Sequence, residues 1–197
     1  GRGIIAASIL IRGGVLEEPP EKAGVANLVA DTLIKGAAGH SASEIALALD
    51  RLGASAEFGA TADYLDGSLV ALGPRFADAW RIFAEALTRP TFPMDQVEKE
   101  RQNTLSEIAA VDDHISDAAG RELNRRLYGP HPYARLVLGE SSTVESLTRE
   151  DLAAYHRRVC IPQHAVLSVV GPIRREALQA LLDSTLSAWM STAPARP

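Results

Sequence analysis

Gly24-Val25-Ala26-Asn27-Leu28-Val29-Ala30-Asp31-Thr32-Leu33-Ile34-Lys35-Gly36 is the stretch whose reading decides the fold. Val25, Leu28, Val29 and Leu33 recur at helical spacing and mark one buried face, and a glycine stands at either end. Two polar residues interrupt that face. Asn27 and Asp31 are four apart, so on a helix they lie one above the other, with Ala30 beside them.

Upstream, the branched run Ile4 to Ile11 ends at Arg12-Gly13-Gly14 and predicts a strand buried on both faces, central in its sheet. The acid and proline turn Glu17-Glu18-Pro19-Pro20-Glu21 leads into the helix, whose N-terminus favours negative charge. Downstream, Ser41 with Glu44 is a capping-box pattern opening a second helix that Gly53 stops. Ala54 to Thr61 and Tyr64 to Leu72 read as an antiparallel hairpin turning at Ala62-Asp63. Pro74 opens a third helix with Phe76, Ala79, Trp80, Phe83 and Leu87 on one face. A fourth helix from about Asp95 to Ala110 turns Val97, Leu105 and Ile108 inward and carries Glu100 and Glu107 on a shared stripe. A fifth runs from about Ser116 to Tyr128. Thr148 with Asp151 opens another, which ends by Pro162; Ala165 to Val170 is a short strand, and Arg174 to Trp189 a last helix. Because the hairpin breaks any simple alternation of strand and helix, the expected class is α+β, with helices on one face of a mixed, mainly antiparallel sheet. Residues 1–190 are expected to form one domain and 191–197 the start of a linker to a second domain outside this sequence. The sequence starts without Met and almost directly in a strand, so the expectation is a piece of a longer protein.

The 197 residues are 46% hydrophobic and 23% charged, ordinary for a globular chain. A net charge of -5 without a Lys/Arg run argues against nucleic acid or an anionic membrane as partner, and no apolar run is long enough to span a bilayer. Cys160 is the one cysteine, which excludes an intrachain disulfide. The five histidines form no i, i+4 ligand pair and read as turn, cap or surface residues.

The stretch from Ile9 to Gly36 resembles the pitrilysin/insulinase family of zinc peptidases, whose motif helix carries the inverted signature HxxEH, and the resemblance extends over nearly the whole chain. Later stretches that carry it are Leu52-Gly53, Asp63-Tyr64, Arg89-Pro90-Thr91-Phe92, Glu100-Arg101, Leu127-Tyr128-Gly129-Pro130-His131-Pro132-Tyr133, Leu147 to Leu152 and Val169-Val170-Gly171. It implies the N-terminal domain of a subunit with a fold of the mitochondrial-processing-peptidase type. Where HxxEH would stand, this chain has Asn27-Leu28-Val29-Ala30-Asp31, so both ligand histidines and the general-base glutamate are replaced. The family's third ligand, a glutamate about 75 residues beyond the motif, is matched by Glu107, and its second downstream acid by Glu100, seven earlier. Glu57-Phe58-Gly59-Ala60 stands where active members carry a small, polar substrate-lining pattern, which places an aromatic in the cleft and marks this strand as the peptide-binding edge.

Zinc hydrolysis needs about three protein ligands, an open position for water and a base. Asn27 offers only an amide oxygen and Ala30 accepts no proton. Asp31 and Glu107 remain as candidate ligands, though two carboxylates suit magnesium or calcium as well as zinc. Read without the resemblance, Asn27 and Asp31 are ordinary polar helix positions, and Glu100 and Glu107 a solvated face with Arg101 as a ready partner.

By resemblance the chain is expected to be a non-catalytic, peptide- and partner-binding subunit with no cofactor of its own. Zinc would sit in an HxxEH-bearing partner subunit. The expected partners are that subunit or a second copy, and an unfolded peptide, with the bacterial periplasm favoured over the cytoplasm. Two alternatives stay open: a zinc-dependent metalloendopeptidase retaining a modified site, and an architectural core subunit of a larger complex.

Overall fold

Alternation along β1 (Ile4–Arg12) sets the layers of the molecule. In the computed structural model, which describes residues 3–191 and leaves the side chains of residues 112 and 191 aside, Ile5, Ala7, Ile9 and Ile11 are buried while Ile4 and Leu10 are exposed. The strand is central, as expected, but its burial on both faces is corrected: among the described residues the helices cover one face only. A run apolar at both odd and even positions does not reveal this, because its period of two is hidden.

α1 (Val25–Leu33) follows, then a minimal hairpin of β2 (Gly36–Ala37) and β3 (His40–Ser41). α2 (Ala42–Leu52) opens with both reciprocal bonds of the Ser41/Glu44 box and closes at Gly53, in the left-handed conformation. β4 (Ser55–Ala60) and β5 (Tyr64–Leu72) form the expected hairpin. α3 (Phe76–Thr88) buries Phe76, Ala79, Trp80, Phe83 and Leu87. The long α4 (Met94–Asp113) leads to α5 (Ile115–Tyr128), in which no residue is buried. A short helix that the sequence pattern does not announce, α6 (Ser141–Ser146), precedes α7 (Arg149–Val159), which opens with the Thr148/Asp151 box. β6 (Ala165–Val170) and α8 (Arg175–Ser191) complete the described chain. Of the expected linker, Ser191 closes α8, and 192–197 lie outside the described residues.

The main sheet runs β4-β5-β1-β6, antiparallel at each pairing, so the architecture is α+β. Ser8 stands opposite both Ser68 and Ser168, which draws a row of hydroxyls across the uncovered face. The covered face meets Leu28 and Leu33 of α1, Trp80 and Phe83 of α3 and Leu152 of α7 in one apolar cluster. α8 is tied in by Trp80 Nε1, which donates to Thr185 Oγ1 at 2.9 Å, and by Trp189 Nε1, which donates to Cys160 O at 2.8 Å. Cys160 is itself buried, and burial pushes its thiol up to about 12. His156, expected at a turn or surface, is buried instead, with Nε2 bonded to Leu87 O at 2.8 Å. No helix among the described residues is long and apolar enough to cross a membrane.

Candidate functional site

α1 is positioned by a carboxylate from outside the helix. Glu18 accepts the N–H of Ala26 at 2.8 Å and of Gly24 at 3.2 Å, satisfying donors that the first helical turn leaves free. Gly24 takes the left-handed conformation, φ 94°, and a Cβ there would meet Leu138 O at 2.6 Å, so the approach suits glycine alone. The Glu18 side chain is buried, and desolvation lifts its pKa to about 7 against the pull of those two N–H groups and Arg135.

Along α1 all residues but two are buried, and the two are Asn27 and Asp31. They satisfy each other: Asn27 Nδ2 donates to Asp31 Oδ2 at 2.8 Å. Ala30 between them is 1% exposed, a core residue rather than a lining of open space. Burial, with Glu100 and Glu107 nearby, raises Asp31 to about 6, while Lys35 and Asn27 pull the other way. Glu100 is buried and pairs with Lys35 Nζ at 3.1 Å, and it accepts from Asn103 Nδ2 at 2.8 Å. Arg101, the partner expected for such a carboxylate, turns instead to Glu98 at 2.9 Å and to the carbonyl of Val144. Glu107 is exposed. The four motif-related residues are thus gathered in one place, but among the described residues no three His, Cys, Asp or Glu side chains converge as a metal would need. The donor set does not fit zinc: it contains no imidazole, Asp31 is engaged with an amide, Glu100 with an ammonium, and Ala30 offers no base.

α1 packs against β4, which among the described residues pairs with β5 alone, so β4 is an edge of the sheet. Thr61 N–H donates to Tyr64 O at 2.8 Å. Antiparallel alternation from that pair turns the N–H and C=O groups of Ala56, Phe58 and Ala60 away from β5, and among the described residues they have no hydrogen-bond partner. Phe58 does not project into a cleft. With Ala56 and Ala60 it faces the helices, and its ring stacks on Phe83 with centroids 4.7 Å apart and planes at 10°. Room for the ring comes from Gly67, directly opposite, where a Cβ would stand 2.8 Å from it. Glu57, on the alternate face, is exposed. Beyond the hairpin turn, Tyr133 packs edge to face with both Tyr128 and His131, and its Oη donates to Asp63.

The family model described as insulinase, peptidase family M16, matches residues 4–141, and the model described as the peptidase M16 inactive domain matches 146–197. The chain belongs to the M16 insulinase family. An uncharacterised zinc protease of Mycobacterium tuberculosis is 30% identical over 169 residues, covering 86% of this chain and 39% of the relative. The probable mitochondrial-processing peptidase subunit beta of Schizosaccharomyces pombe is 27% identical over 88% of this chain and 38% of its own length. Among solved structures, a peptidase M16 inactive domain from Pseudomonas fluorescens superposes with a TM-score of 0.90 at 28% identity, covering 98% of this chain and 47% of that one. The periplasmic protease PqqL of Escherichia coli shares the fold at 19% identity with a TM-score of 0.85, over 98% of this chain and 22% of its own. The chain therefore spans less than half the length of these M16 relatives.

Proposed function

We propose that this M16 chain is a non-catalytic subunit that binds an unfolded peptide and a partner, folding as one domain over residues 1–190. The observation that carries the reading is the state of the motif helix, where Asn27 and Asp31 bond to each other and Ala30 belongs to the core. Water activation has no base there. Peptide binding is supported by the free edge of β4 at Ala56, Phe58 and Ala60, since an extended segment can add to such an edge through main-chain bonds. Zinc and hydrolysis would come from an HxxEH-bearing M16 subunit, or a second copy would complete a binding dimer. A bacterial periplasmic setting is the compartment this reading favours.

The test has two arms. Elemental analysis after dialysis is expected to find less than stoichiometric zinc; one zinc per chain held through Asp31 and Glu107 would favour a modified peptidase site instead. In parallel, binding of a fluorescent unfolded peptide is compared between wild type and Ala56→Pro, which removes an outward N–H without breaking a bond to β5. A loss of roughly tenfold is expected, from about 1.4 kcal/mol. Unchanged affinity in a folded variant would place the interface elsewhere.

A further inference from the structure

Between α3, α7 and α8 the surface opens into a cleft of about 1070 Å³. None of its lining residues belongs to α1 or β4, so it is separate from the motif helix and from the strand edge. Small-ligand sites span about 300–1,000 Å³, and this one has room for a whole organic molecule. Its charge runs against that of the chain, which is -5 overall. Arg81, Arg89, Arg149 and Arg157 line the cleft, with Glu85 as the one carboxylate among them. Arg81 is held by Asp78 at 2.6 Å and Arg89 by Glu85 at 2.7 Å, so those two charges are compensated. The other two are not. Arg149 donates from Nε to Phe92 O and from Nη2 to Thr91 O, each at 3.0 Å, and these neutral carbonyls fix the guanidinium without cancelling its charge. Arg157 has no ion-pair partner among the described residues. His156 adds no cation, since burial, with Arg157 beside it, pushes its pKa down and its Nε2 is bonded to Leu87 O. The apolar share of the lining comes from Ala84, Phe92, Ala153, Ile161, Ala188 and Trp189. Trp189 Nε1 is bonded to Cys160 O, so the indole brings chiefly carbon surface to the cleft.

We infer that this cleft binds a phosphate monoester carried on an apolar, aromatic body. Such an ester bears a charge of about -1.5 to -2 at pH 7, which matches the two uncompensated guanidinium groups. Guanidinium forks meet phosphate oxygens through paired, charge-assisted N–H bonds, and Arg149 is already held in place for that contact. A carboxylate would leave one arginine unanswered. An inorganic phosphate would answer both and leave the apolar lining in water, so the body of the ester contributes as well. The inference does not depend on the peptide-binding reading, because the two surfaces share no residue.

The experiment is a calorimetric titration of the whole chain at neutral pH with naphthyl phosphate, and with inorganic phosphate and naphthol as the two halves of that probe. Naphthyl phosphate should bind about tenfold or more tighter than either half. Arg157→Gln, at an exposed position, should weaken it by about tenfold or more. Ser187→Glu sets a carboxylate on an exposed position of α8 at the cleft and should weaken it to a similar extent, with thermal unfolding showing that both variants keep the fold. Vesicles of phosphatidylcholine with and without phosphatidic acid separate the two sources of this chemistry: retention on the acidic vesicles assigns a lipid head group, and its absence a soluble ester. No binding of naphthyl phosphate, binding no tighter than that of inorganic phosphate, or affinity that survives both substitutions overturns the inference, and each leaves the peptide-binding reading where it stands.

Discussion

Glu18 is the residue whose chemistry the surrounding fold alters most usefully for a test. Its folded pKa of about 7 lies above the ordinary 4.5, so the stability it contributes is full below about pH 4.5 and is lost as pH rises through 7. Asp31, lifted from 3.8 to about 6, has the same sign over a lower window. Glu18→Gln keeps an acceptor oxygen for Gly24 and Ala26 but cannot ionise. The variant should therefore gain thermal stability on wild type at pH 8, by a few degrees, and lose the slope between pH 6 and 7, above the window of Asp31, as read by thermal unfolding at stepped pH. A slope that persists between pH 6 and 7 would assign it to other groups. The cap was only half legible in the sequence: acids before a helix are a readable signal, but the choice of Glu18 over Glu17 depends on a turn geometry that brings residue 18 onto residues 24 and 26. Gly67 was not legible at all, since nothing local says that an aromatic lies across it. Gly67→Val should cost about 1–3 kcal/mol by driving a side chain into the Phe58 and Phe83 rings, measurable by urea unfolding.

At the scale of elements, what the sequence announced were features with their own local chemistry. The Ser41/Glu44 and Thr148/Asp151 boxes both form, and Ser41→Ala should destabilise by about 1 kcal/mol through loss of an N-cap. α6 went unannounced because six residues with one buried side chain, Val144, carry no period. The one-sided burial of β1 was hidden by apolar residues on both its faces, and the place of Phe58 by a hairpin partner nine residues away. α1 was legible as a helix and as a degenerate motif, yet the Asn27 to Asp31 bond and the choice of Lys35 for Glu100 required the packed structure. Restoring the motif with Asn27→His, Ala30→Glu and Asp31→His supplies two imidazoles one turn apart near Glu107, so zinc binding should return at one per chain. The metal-free variant should melt below wild type, because Ala30 is 1% exposed and a carboxylate there is forced into the core. Little hydrolysis of an unfolded peptide is expected, since an in-line substrate carbonyl misplaced by about 1 Å costs on the order of a hundredfold. Strong zinc-dependent turnover would show that the motif alone had been lost.

For the molecule as a whole, the sheet divides two surfaces of different character: a helix-covered side that holds the core and the motif, and a side that no described helix covers, on which Ile4, Leu10, Val70, Leu72, Val166 and Val170 surround the serine row. The core itself runs without a break from Ile5 to Leu186, which makes opening of any one layer a disturbance of all. Cys160 lies inside that continuous packing, its thiol held near 12 and its carbonyl bonded to Trp189 of the last helix. A colorimetric disulfide reagent, which attacks only an accessible thiolate, has no purchase on the native chain. The rate at which the reagent consumes this one sulfur thus becomes a stopwatch for the spontaneous opening of the fold, readable without denaturant, labels or mutation.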